Sequence, residues 1–233
     1  MKEEFLRTGA LIGESALEKL ANSAVAVFGI GGVGSYAAEA LVRSGVGTLY
    51  IYDNDIIALS NINRQLVALH SDIGEYKTSA AKKRYLDINP DCSIIDCREF
   101  VTPESDIPFE RFDYIIDAVD NVTAKLFLAK SAAERDIPII SVMGMGNKLD
   151  PTRIKVSDIY KTSVCPLARV MRYELKKRGV RKLLTVWSDE PPKICSGDGE
   201  RPQNRKSVPA SMAPVPGAAG LAAAAEVIKK LTE

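Results

Sequence analysis

The chain has 233 residues, of which 46% are hydrophobic and 26% are charged, and its formal net charge is +1. This ordinary globular composition predicts one principal domain with a large core. No stretch approaches the ~20 apolar residues of a membrane span. The charged N-terminus also lacks the apolar run of a signal peptide, so we expect a cytoplasmic protein.

Four cysteines, Cys92, Cys97, Cys165 and Cys195, are scattered without a CxxC pair. That spacing gives neither a disulfide framework nor a zinc-finger signature, and we expect no zinc. Only Cys165 and Cys195 are candidates for a reactive thiol, although a free cysteine is more often a small apolar filler.

The charges are unevenly placed, because residues 160–206 hold 12 Lys and Arg against 5 Asp and Glu, which makes this segment +7. A basic segment in a neutral protein suits a polyanionic partner. A solvated helix and loop explains the charge equally well. Trp187 and Tyr173 lie in this segment and could stack on bases, but packing is the better interpretation of both.

The first strong signal in chain order is a glycine motif. After an amphipathic segment at residues 15–20, an apolar strand at 25–28 runs into Gly29, Gly31, Gly32 and Gly34, and a helix follows at 33–44. A Cβ would block both the tight turn and the approach of backbone N–H groups to phosphate oxygens. The helix adds its positive N-terminal end. The motif predicts a nucleotide site.

Strands and helices then alternate. We predict strands at residues 49–52, 93–96, 114–117 and 138–142, with helices at 77–86 and 122–134. This alternation predicts an α/β, Rossmann-like, doubly wound and mainly parallel sheet.

The pattern loosens after residue 150. It indicates a strand at 153–156, a basic helix at 166–177, a strand at 182–186, a mobile loop at 191–206 and an Ala-rich helix at 217–231. We therefore predict a single domain over residues 1–233, with a nucleotide-binding core at 1–150 and a substrate-side extension at 151–233. The final helix is expected to dock on the sheet or on a second subunit, in preference to a membrane surface.

The residues after the glycine turn bear on which nucleotide is bound. Asp53 ends the second strand, where an acidic side chain accepts hydrogen bonds from ribose, and this alone fits NAD or ATP. Arg64 and Lys77, with the amides of Asn61 and Gln65, follow it. Two cations and several amides suit a triphosphate, whose charge must be neutralised during attack.

Acidic residues also end the strand predicted at 114–117. Asp117 and Asp120, followed by Asn121, lie at the carboxyl edge of the sheet, where open α/β folds bind ligands. Mg²⁺ shared between a carboxylate and phosphate oxygens would explain Asp120. Alternatively, Asp120 caps the helix that begins near Val122. We expect Asp117 to be structural.

Together these residues carry a family resemblance. They resemble the motifs of the ubiquitin-activating-enzyme-like (ThiF/MoeB/HesA) adenylating superfamily. The residues concerned are the glycine turn, Asp53 with Asp55, Asn61 with Arg64 and Gln65, Lys77, and Asp120 with Asn121. The resemblance implies a homodimer that uses magnesium ATP to convert a carboxylate into an acyl adenylate, releasing pyrophosphate.

The same resemblance implies roles for individual residues. The aspartate matching Asp53 holds ribose, Arg64 and Lys77 match the residues that contact phosphates, and Asp120 matches the magnesium ligand. Arg7 is the best match for an arginine that reaches the partner subunit's site. Arg7 is nearly as well explained as a surface charge.

A narrower resemblance extends over most of the chain. Six segments look like the corresponding segments of the tRNA threonylcarbamoyladenosine dehydratases: residues 43–47, 137–141, 144–153, 156–162, 166–169 and 188–190. This family implies ATP-dependent cyclisation of a threonylcarbamoyladenosine beside the anticodon of tRNA. The second step is intramolecular, so it needs no enzyme nucleophile.

Several alternatives stay open at this point. The chain could adenylate the C-terminal glycine of a small sulfur-carrier protein, sense nucleotides without catalysis, or act as an NAD-dependent oxidoreductase, in decreasing order of preference. Docking of a sulfur-transfer partner protein is a further alternative.

Overall fold

The computed structural model describes residues 2–194 and 209–233. Within these residues the chain forms a seven-stranded sheet with the order β3-β2-β1-β4-β5-β7-β6. The strands are β1 (Ala24–Phe28), β2 (Thr48–Tyr52), β3 (Ser93–Cys97), β4 (Tyr114–Asp117), β5 (Ile139–Val142), β6 (Ile154–Asp158) and β7 (Leu184–Ser188). Neighbouring strands run parallel except β6, which is antiparallel to β7. The predicted α/β, mainly parallel fold is confirmed.

Helices cover both faces of the sheet. In the described ranges the α-helices are α1 (Leu6–Ile12), α2 (Glu14–Ala21), α3 (Gly34–Arg43), α4 (Lys77–Ile88), α5 (Val122–Glu134), α6 (Pro166–Lys177) and α7 (Pro214–Thr232). Val25 and Val27 of β1 belong to a core shared with α3, α4 and α7, whereas Ala26 and Phe28 belong to a core shared with α5. A strand buried on both faces needs the continuous apolar run seen in β1.

Helix α7 lies directly against α3. A Cβ added to Gly220 would lie 2.3 Å from the carbonyl oxygen of Val33, and one added to Gly217 would lie 3.2 Å from the ring of Tyr36. Small residues are therefore required where the two helices touch. This explains the Ala-rich composition of α7 without a membrane. Among the described helices, none has both the length and the apolar character that a membrane crossing requires.

The structure departs from the predicted elements in several places. Helix α1 was not predicted. Helix α7 begins at Pro214, three residues before the predicted start, because proline fits the first helical turn, where no N–H partner is needed. The strands predicted at 153–156 and 182–186 lie one to two residues further along, as β6 and β7. Most of the loop predicted at 191–206 lies outside the described residues.

The predicted boundary at residue 150 does not divide the sheet, which contains strands from both sides of it. Strands β6 and β7 continue the sheet begun by β1 to β5, and α7 returns to pack on α3 near the end of the glycine turn. The later residues thus approach the carboxyl ends of the earlier strands. The substrate-side role of residues 151–233 stays a prediction.

Candidate active site

A pocket of about 740 Å³ opens at the carboxyl ends of β1, β2 and β4. In the strand order, β1 and β4 are neighbours, and the connection after β1 leads to β2 on one side while the connection after β4 leads to β5 on the other. Open α/β sheets bind their ligands in the crevice formed there. We call this cavity the main pocket.

The structure brings most of the predicted site residues together at the main pocket. Those lining it are Gly29, Gly31, Gly32, Asp53, Asp55, Asn61, Arg64, Gln65, Lys77, Asp120 and Asn121. Gly34 and Arg7 do not line it. Gly34 is buried behind the turn, and Arg7 is exposed on α1.

The glycine turn shows two different requirements for glycine. A Cβ on Gly34 would lie 1.8 Å from the carbonyl oxygen of Gly29, and Gly29 itself has φ of 88° and lies against the backbone of Ala118. These two glycines permit the close packing of β1, α3 and the end of β4. At Gly31 the nearest atom to a Cβ is the Gln65 amide nitrogen at 4.0 Å. Gly31 therefore leaves open space in the pocket wall, where a phosphate could approach the backbone.

A cation is held between two carboxylates at the end of β2. Lys77, the first residue of α4, is only 5% exposed. Its Nζ lies 2.6 Å from Asp55 Oδ2 and 3.6 Å from Asp53 Oδ1. Asp53 in turn accepts hydrogen bonds from the backbone N–H groups of Ile30 and Asp55. Burial raises the pKa of Asp53 above its ordinary value, and the nearby Lys77 ammonium opposes that shift. The carboxylate keeps acceptor sites for a ribose hydroxyl.

Arg64 and Gln65 face the pocket from the segment between β2 and α4. The Arg64 guanidinium donates to the Ser60 carbonyl and to Asn63 Oδ1, and no carboxylate in the described part of the chain pairs with it. Gln65 is 6% exposed, and its Oε1 has no hydrogen-bond partner among the described groups. A buried amide oxygen without a partner is costly, so a ligand that donates to it would be favoured. Asn61 instead holds its own turn by accepting from Ala58 N.

The end of β4 carries three polar residues with different environments. Asn121 caps α5, because its Oδ1 accepts from Ala124 N at 3.1 Å. The alternative interpretation of Asp120 as the cap is therefore wrong, since the cap lies one residue later. Asp120 is exposed to the main pocket, and its carboxylate has no partner in the described residues. Asp117 is fully buried against Lys125, as a structural residue would be.

The Asp120 carboxylate fits a magnesium site in the chemistry of its donor atoms. Mg²⁺ is commonly held by one or two carboxylates together with substrate phosphate oxygens. No group of three or more His, Cys, Asp or Glu side chains in residues 2–194 and 209–233 is arranged to hold a metal ion. A metal at Asp120 would thus take its remaining ligands from phosphate and water.

Several pocket residues were not predicted from the sequence. They come from the segments after β3 and β5, from the segment before α7 and from the first turn of α7: Glu99, Phe100, Val101, Met143, Gly144, Met145, Gly146, Pro209, Ser211 and Pro216. Tertiary hydrogen bonds bring the last group to the rim. Asn63 Nδ2 donates to the Ser211 carbonyl at 2.8 Å, and Ala210 N donates to Asn147 Oδ1 at 2.7 Å. The Gly144 and Gly146 pair was the one local signal that could have located this wall.

The cysteines and aromatic residues considered as a reactive thiol or as base-stacking rings differ in how deeply they are buried. Cys165 is 2% exposed, and its sulfur would lie 3.8 Å from a Cβ on Gly144, so it lies behind the pocket wall. Cys195 lies outside the described residues. Trp187 is buried, and its indole N–H donates to Ser157 Oγ, which is packing as expected. Tyr173 is 62% exposed on α6.

Comparison with known proteins gives a family. The model described as the ThiF family matches residues 6–233. The Bacillus subtilis (strain 168) protein named tRNA threonylcarbamoyladenosine dehydratase is 43% identical over 245 aligned residues, which cover 99% of this chain and 95% of that protein.

Solved structures agree. The Escherichia coli tRNA N6-threonylcarbamoyladenosine dehydratase, TcdA, was crystallised in complex with AMP and in complex with ATP. The AMP complex matches with a TM-score of 0.89 at 33% identity, covering 98% of this chain and 94% of that chain. The ATP complex matches with a TM-score of 0.88 at 33% identity, covering 98% and 93%. The resemblance inferred from the sequence motifs is confirmed, and the chain belongs to the ThiF family of adenylating enzymes.

Proposed function

We propose that this protein is an ATP-dependent enzyme that dehydrates threonylcarbamoyladenosine in tRNA by adenylating its threonyl carboxylate. One observation carries the proposal: a relative named for this activity is 43% identical over nearly the full length of both chains. The structure supports it with a pocket whose cations, carboxylates and glycine turn suit a nucleoside triphosphate.

The chemistry has two steps. A carboxylate oxygen of the threonyl group attacks the α-phosphorus of ATP, and pyrophosphate leaves. The carbamoyl oxygen then attacks the activated carbonyl carbon, the bond to AMP breaks, and a carbamoyl nitrogen loses its proton. Hydroxide is a poor leaving group and AMP is a good one, so activation with ATP makes the net loss of water feasible. Since both groups belong to one side chain, orientation supplies several kcal/mol of the second barrier.

The pocket residues take roles that follow from their positions. We assign the ribose to Asp53 and the phosphates to Arg64, Lys77 and the backbone at Gly31 and Gly32. Lys77 and Arg64 would stabilise the charge that builds up on the α-phosphate and on departing pyrophosphate. The unpartnered Gln65 Oε1 provides an acceptor in the same wall.

We assign magnesium to Asp120, whose carboxylate faces the pocket and has no protein partner among the described residues. A bound Mg²⁺ would neutralise phosphate charge and orient the triphosphate for attack. Asn121 keeps α5 capped and thereby holds Asp120 at the pocket edge.

We also propose a homodimer in which Arg7 reaches the partner's pocket. Arg7 is exposed on α1, between the exposed apolar side chains of Leu6 and Leu11, which are 51% and 85% accessible. A second group of exposed apolar side chains lies on either side of Arg64 in the sequence: Ile56, Leu59, Leu69, Ile73 and Tyr76. Exposed apolar side chains of this kind are typical of an interface between subunits. A cytoplasmic location follows from the proposed substrates, ATP and tRNA.

Mass spectrometry of tRNA nucleosides tests the reaction. Incubation of the protein with ATP, magnesium and tRNA carrying threonylcarbamoyladenosine should lower the mass of that nucleoside by one water, and the Lys77→Met variant should not. An unchanged mass with the wild-type protein would overturn the proposal. Adenylation of a sulfur-carrier protein without any effect on tRNA would favour that alternative. The proposed reaction consumes no sulfur, so it requires no sulfur-transfer partner.

Mixing two inactive variants tests the role of Arg7. If Arg7 acts on the partner's pocket, an Arg7→Ala subunit paired with a Lys77→Met subunit has one complete site. Random pairing should restore about a quarter of the wild-type sites, because half of the dimers are mixed and each holds one. Failure to restore activity, with mixed dimers shown to have formed, would mean that Arg7 does not act on the partner's pocket.

A further inference from the structure

Helix α6 begins at the main pocket and leads away from it. Leu167, in its first turn, lines the pocket, and a Cβ on Gly144 would lie 3.9 Å from Leu167. The helix continues to Lys177, which at 1.5 Å per residue carries it about 18 Å from the pocket mouth. A substrate that reaches into the pocket and is longer than a nucleotide has a path outward beside this helix.

The two sides of α6 differ completely. Ala168, Met171 and Leu175 are buried against the rest of the protein. Arg169, Tyr173, Lys176 and Lys177 are exposed, and their spacing of four, three and one residues places them on one stripe of the helix opposite the buried side. We call these four residues the α6 stripe.

The cations of the α6 stripe are available for a ligand. In the described part of the chain neither Arg169 nor Lys176 forms an ion pair. Lys177 lies 3.7 Å from Glu174 and 4.1 Å from the centre of the Tyr173 ring. Both of those contacts are at the surface, so they stabilise the protein little. Glu174 also pairs with Arg178, and it is the one acidic residue of α6.

More positive charge surrounds the stripe. Lys161, Arg178, Arg181 and Lys182 are exposed in the segments flanking α6. Charges of one sign beside a pocket raise the local concentration of an oppositely charged ligand. Along the axis of a nucleic acid helix, each strand carries a phosphate about every 3.4 Å. From Arg169 to Lys177 the α6 stripe spans about 12 Å along the helix, which matches a few consecutive phosphates, and Tyr173 adds a ring on which an unpaired base can stack.

We propose that the α6 stripe binds the RNA backbone that flanks the reacting nucleoside, so that the RNA runs outward from the main pocket along α6. This inference rests on the proposed function, which supplies an RNA substrate. An anionic membrane is the less suitable occupant, because helices that lie on membranes present large apolar side chains beside their cations. The exposed apolar side chain next to the stripe is Val170, which is 45% accessible.

Binding measurements test the stripe directly. The triple variant Arg169→Gln, Lys176→Gln, Lys177→Gln should bind modified tRNA about tenfold more weakly, and the slope of log K against log salt should fall by about 0.7–0.9 per lost phosphate contact. The matched control is Lys83→Gln, Lys229→Gln, Lys230→Gln, which removes three exposed cations from α4 and α7. The control should keep both the affinity and the slope. Circular dichroism should show both variants folded.

Kinetics locate the effect. With the free threonylcarbamoyladenosine nucleoside as substrate the stripe variant should retain the wild-type kcat/KM, whereas with tRNA its KM should rise about tenfold at unchanged kcat. Equal losses with both substrates would overturn the inference, as would unchanged tRNA binding or equal weakening in the control. Loss of binding to phosphatidylserine vesicles without loss of tRNA binding would also overturn it. If the wild-type protein binds tRNA through the α6 stripe but never dehydrates it, the proposed function is wrong and the inference that the α6 stripe binds RNA is retained.

Discussion

The Lys77 ammonium lies 2.6 Å from the Asp55 carboxylate, inside a pocket that suits a triphosphate. Lys77 is nearly buried, whereas the side chain of Asp55 is 61% exposed. The pair therefore joins a fixed cation to a carboxylate that can turn toward solvent. An incoming phosphate can replace Asp55 as the partner of Lys77 while Asp53, 3.6 Å away, continues to neutralise the cation. The site holds its cation in position before the ligand arrives.

Replacing Lys77 by Met should reduce tRNA-dependent exchange of pyrophosphate into ATP by at least about a hundredfold, equivalent to roughly 2.7 kcal/mol of transition-state stabilisation. The reason is that the variant retains the length of the side chain but loses the charge facing the phosphates. Lys82→Met is the matched control, because Lys82 lies on the same helix and pairs with Asp96 outside the pocket. Comparable loss in both variants would show that the effect comes from helix α4 and not from phosphate binding.

Two glycines of the same turn should respond differently to substitution. Gly34→Ala places a Cβ 1.8 Å from the Gly29 carbonyl oxygen, which the packed strand and helix cannot accommodate, so we expect insoluble or unfolded protein. Gly31→Ala meets its nearest atom at 4.0 Å and should fold normally. It should nevertheless weaken ATP binding, because the methyl group occupies space at the backbone that approaches phosphate. Thermal unfolding and titration with ATP separate the two effects, and equal behaviour of the two variants would contradict the assignment.

Several residues that line the pocket could be located from the sequence, because each follows a predicted strand or lies at a short distance from one. They are the glycine turn, Asp53, Arg64, Gln65, Lys77 and Asp120. Parallel strands bring their carboxyl ends to one edge, so the order of strands alone gathers these residues. The rim at Pro209 and Ser211 could not be located in this way. Its position depends on tertiary hydrogen bonds: Ser211 accepts from Asn63, and Ala210 donates to Asn147, and both partners lie far away in sequence.

Local capping chemistry explains the one wrong interpretation at the site. Asp and Asn are both good N-caps, and the sequence offers them side by side at positions 120 and 121. Because α5 starts at Val122, Asn121 is its N-cap, and the Asp120 carboxylate is not used in capping and faces the pocket. The predicted start of this helix at residue 122 is confirmed, and the Asp120 alternative placed the cap one residue too early. The position of the cap thus decides whether the Asp120 carboxylate is structural or available to a ligand.

Asp120→Asn should raise the magnesium concentration needed for half-maximal activity by tenfold or more, since an amide oxygen is a weaker ligand than a carboxylate. The variant should remain folded, because Asp120 makes no hydrogen bond within the described residues. Magnesium titrations of AMP formation measure the change. Asp106→Asn is the control, as Asp106 is exposed and outside the pocket. An unaltered magnesium requirement in Asp120→Asn would remove Asp120 from the metal site.

The buried pair beneath the pocket should matter for stability. Lys125 and Asp117 are both fully buried, with Nζ 3.1 Å from each carboxylate oxygen, and Lys125 also donates to the Val142 carbonyl at 2.8 Å. Lys125→Met leaves an unpaired carboxylate in the core, so the free energy of unfolding should fall by about 3–5 kcal/mol. The double variant with Asp117→Asn should recover part of this loss, because the unpaired charge is then gone. Denaturant unfolding of the single and double variants tests the coupling, and simple additivity would refute it.

Glu39 should make stability depend on pH. It is 7% exposed on α3 and accepts hydrogen bonds from Arg84 of α4 at 2.6 Å and from Arg43 at 2.9 Å. Burial alone would raise the pKa of Glu39, but the two arginines hold it below its ordinary value of 4.5. A carboxyl group whose pKa is lowered in the folded state stabilises the protein fully at pH values above its ordinary pKa. That contribution is lost as the pH falls through the lowered pKa.

Glu39→Gln should therefore lower the free energy of unfolding by about 1 kcal/mol at neutral pH, a modest loss because both arginines are partly exposed to solvent. The difference from the wild-type protein should shrink as the pH is taken below 4.5. Thermal unfolding of both proteins across this range measures it. Glu134→Gln provides the comparison, since Glu134 pairs with Lys130 at 3.5 Å on the exposed side of α5 and should change stability little at any pH. A constant difference between Glu39→Gln and the wild-type protein at all pH values would mean that packing, and not the charge of Glu39, joins α3 to α4.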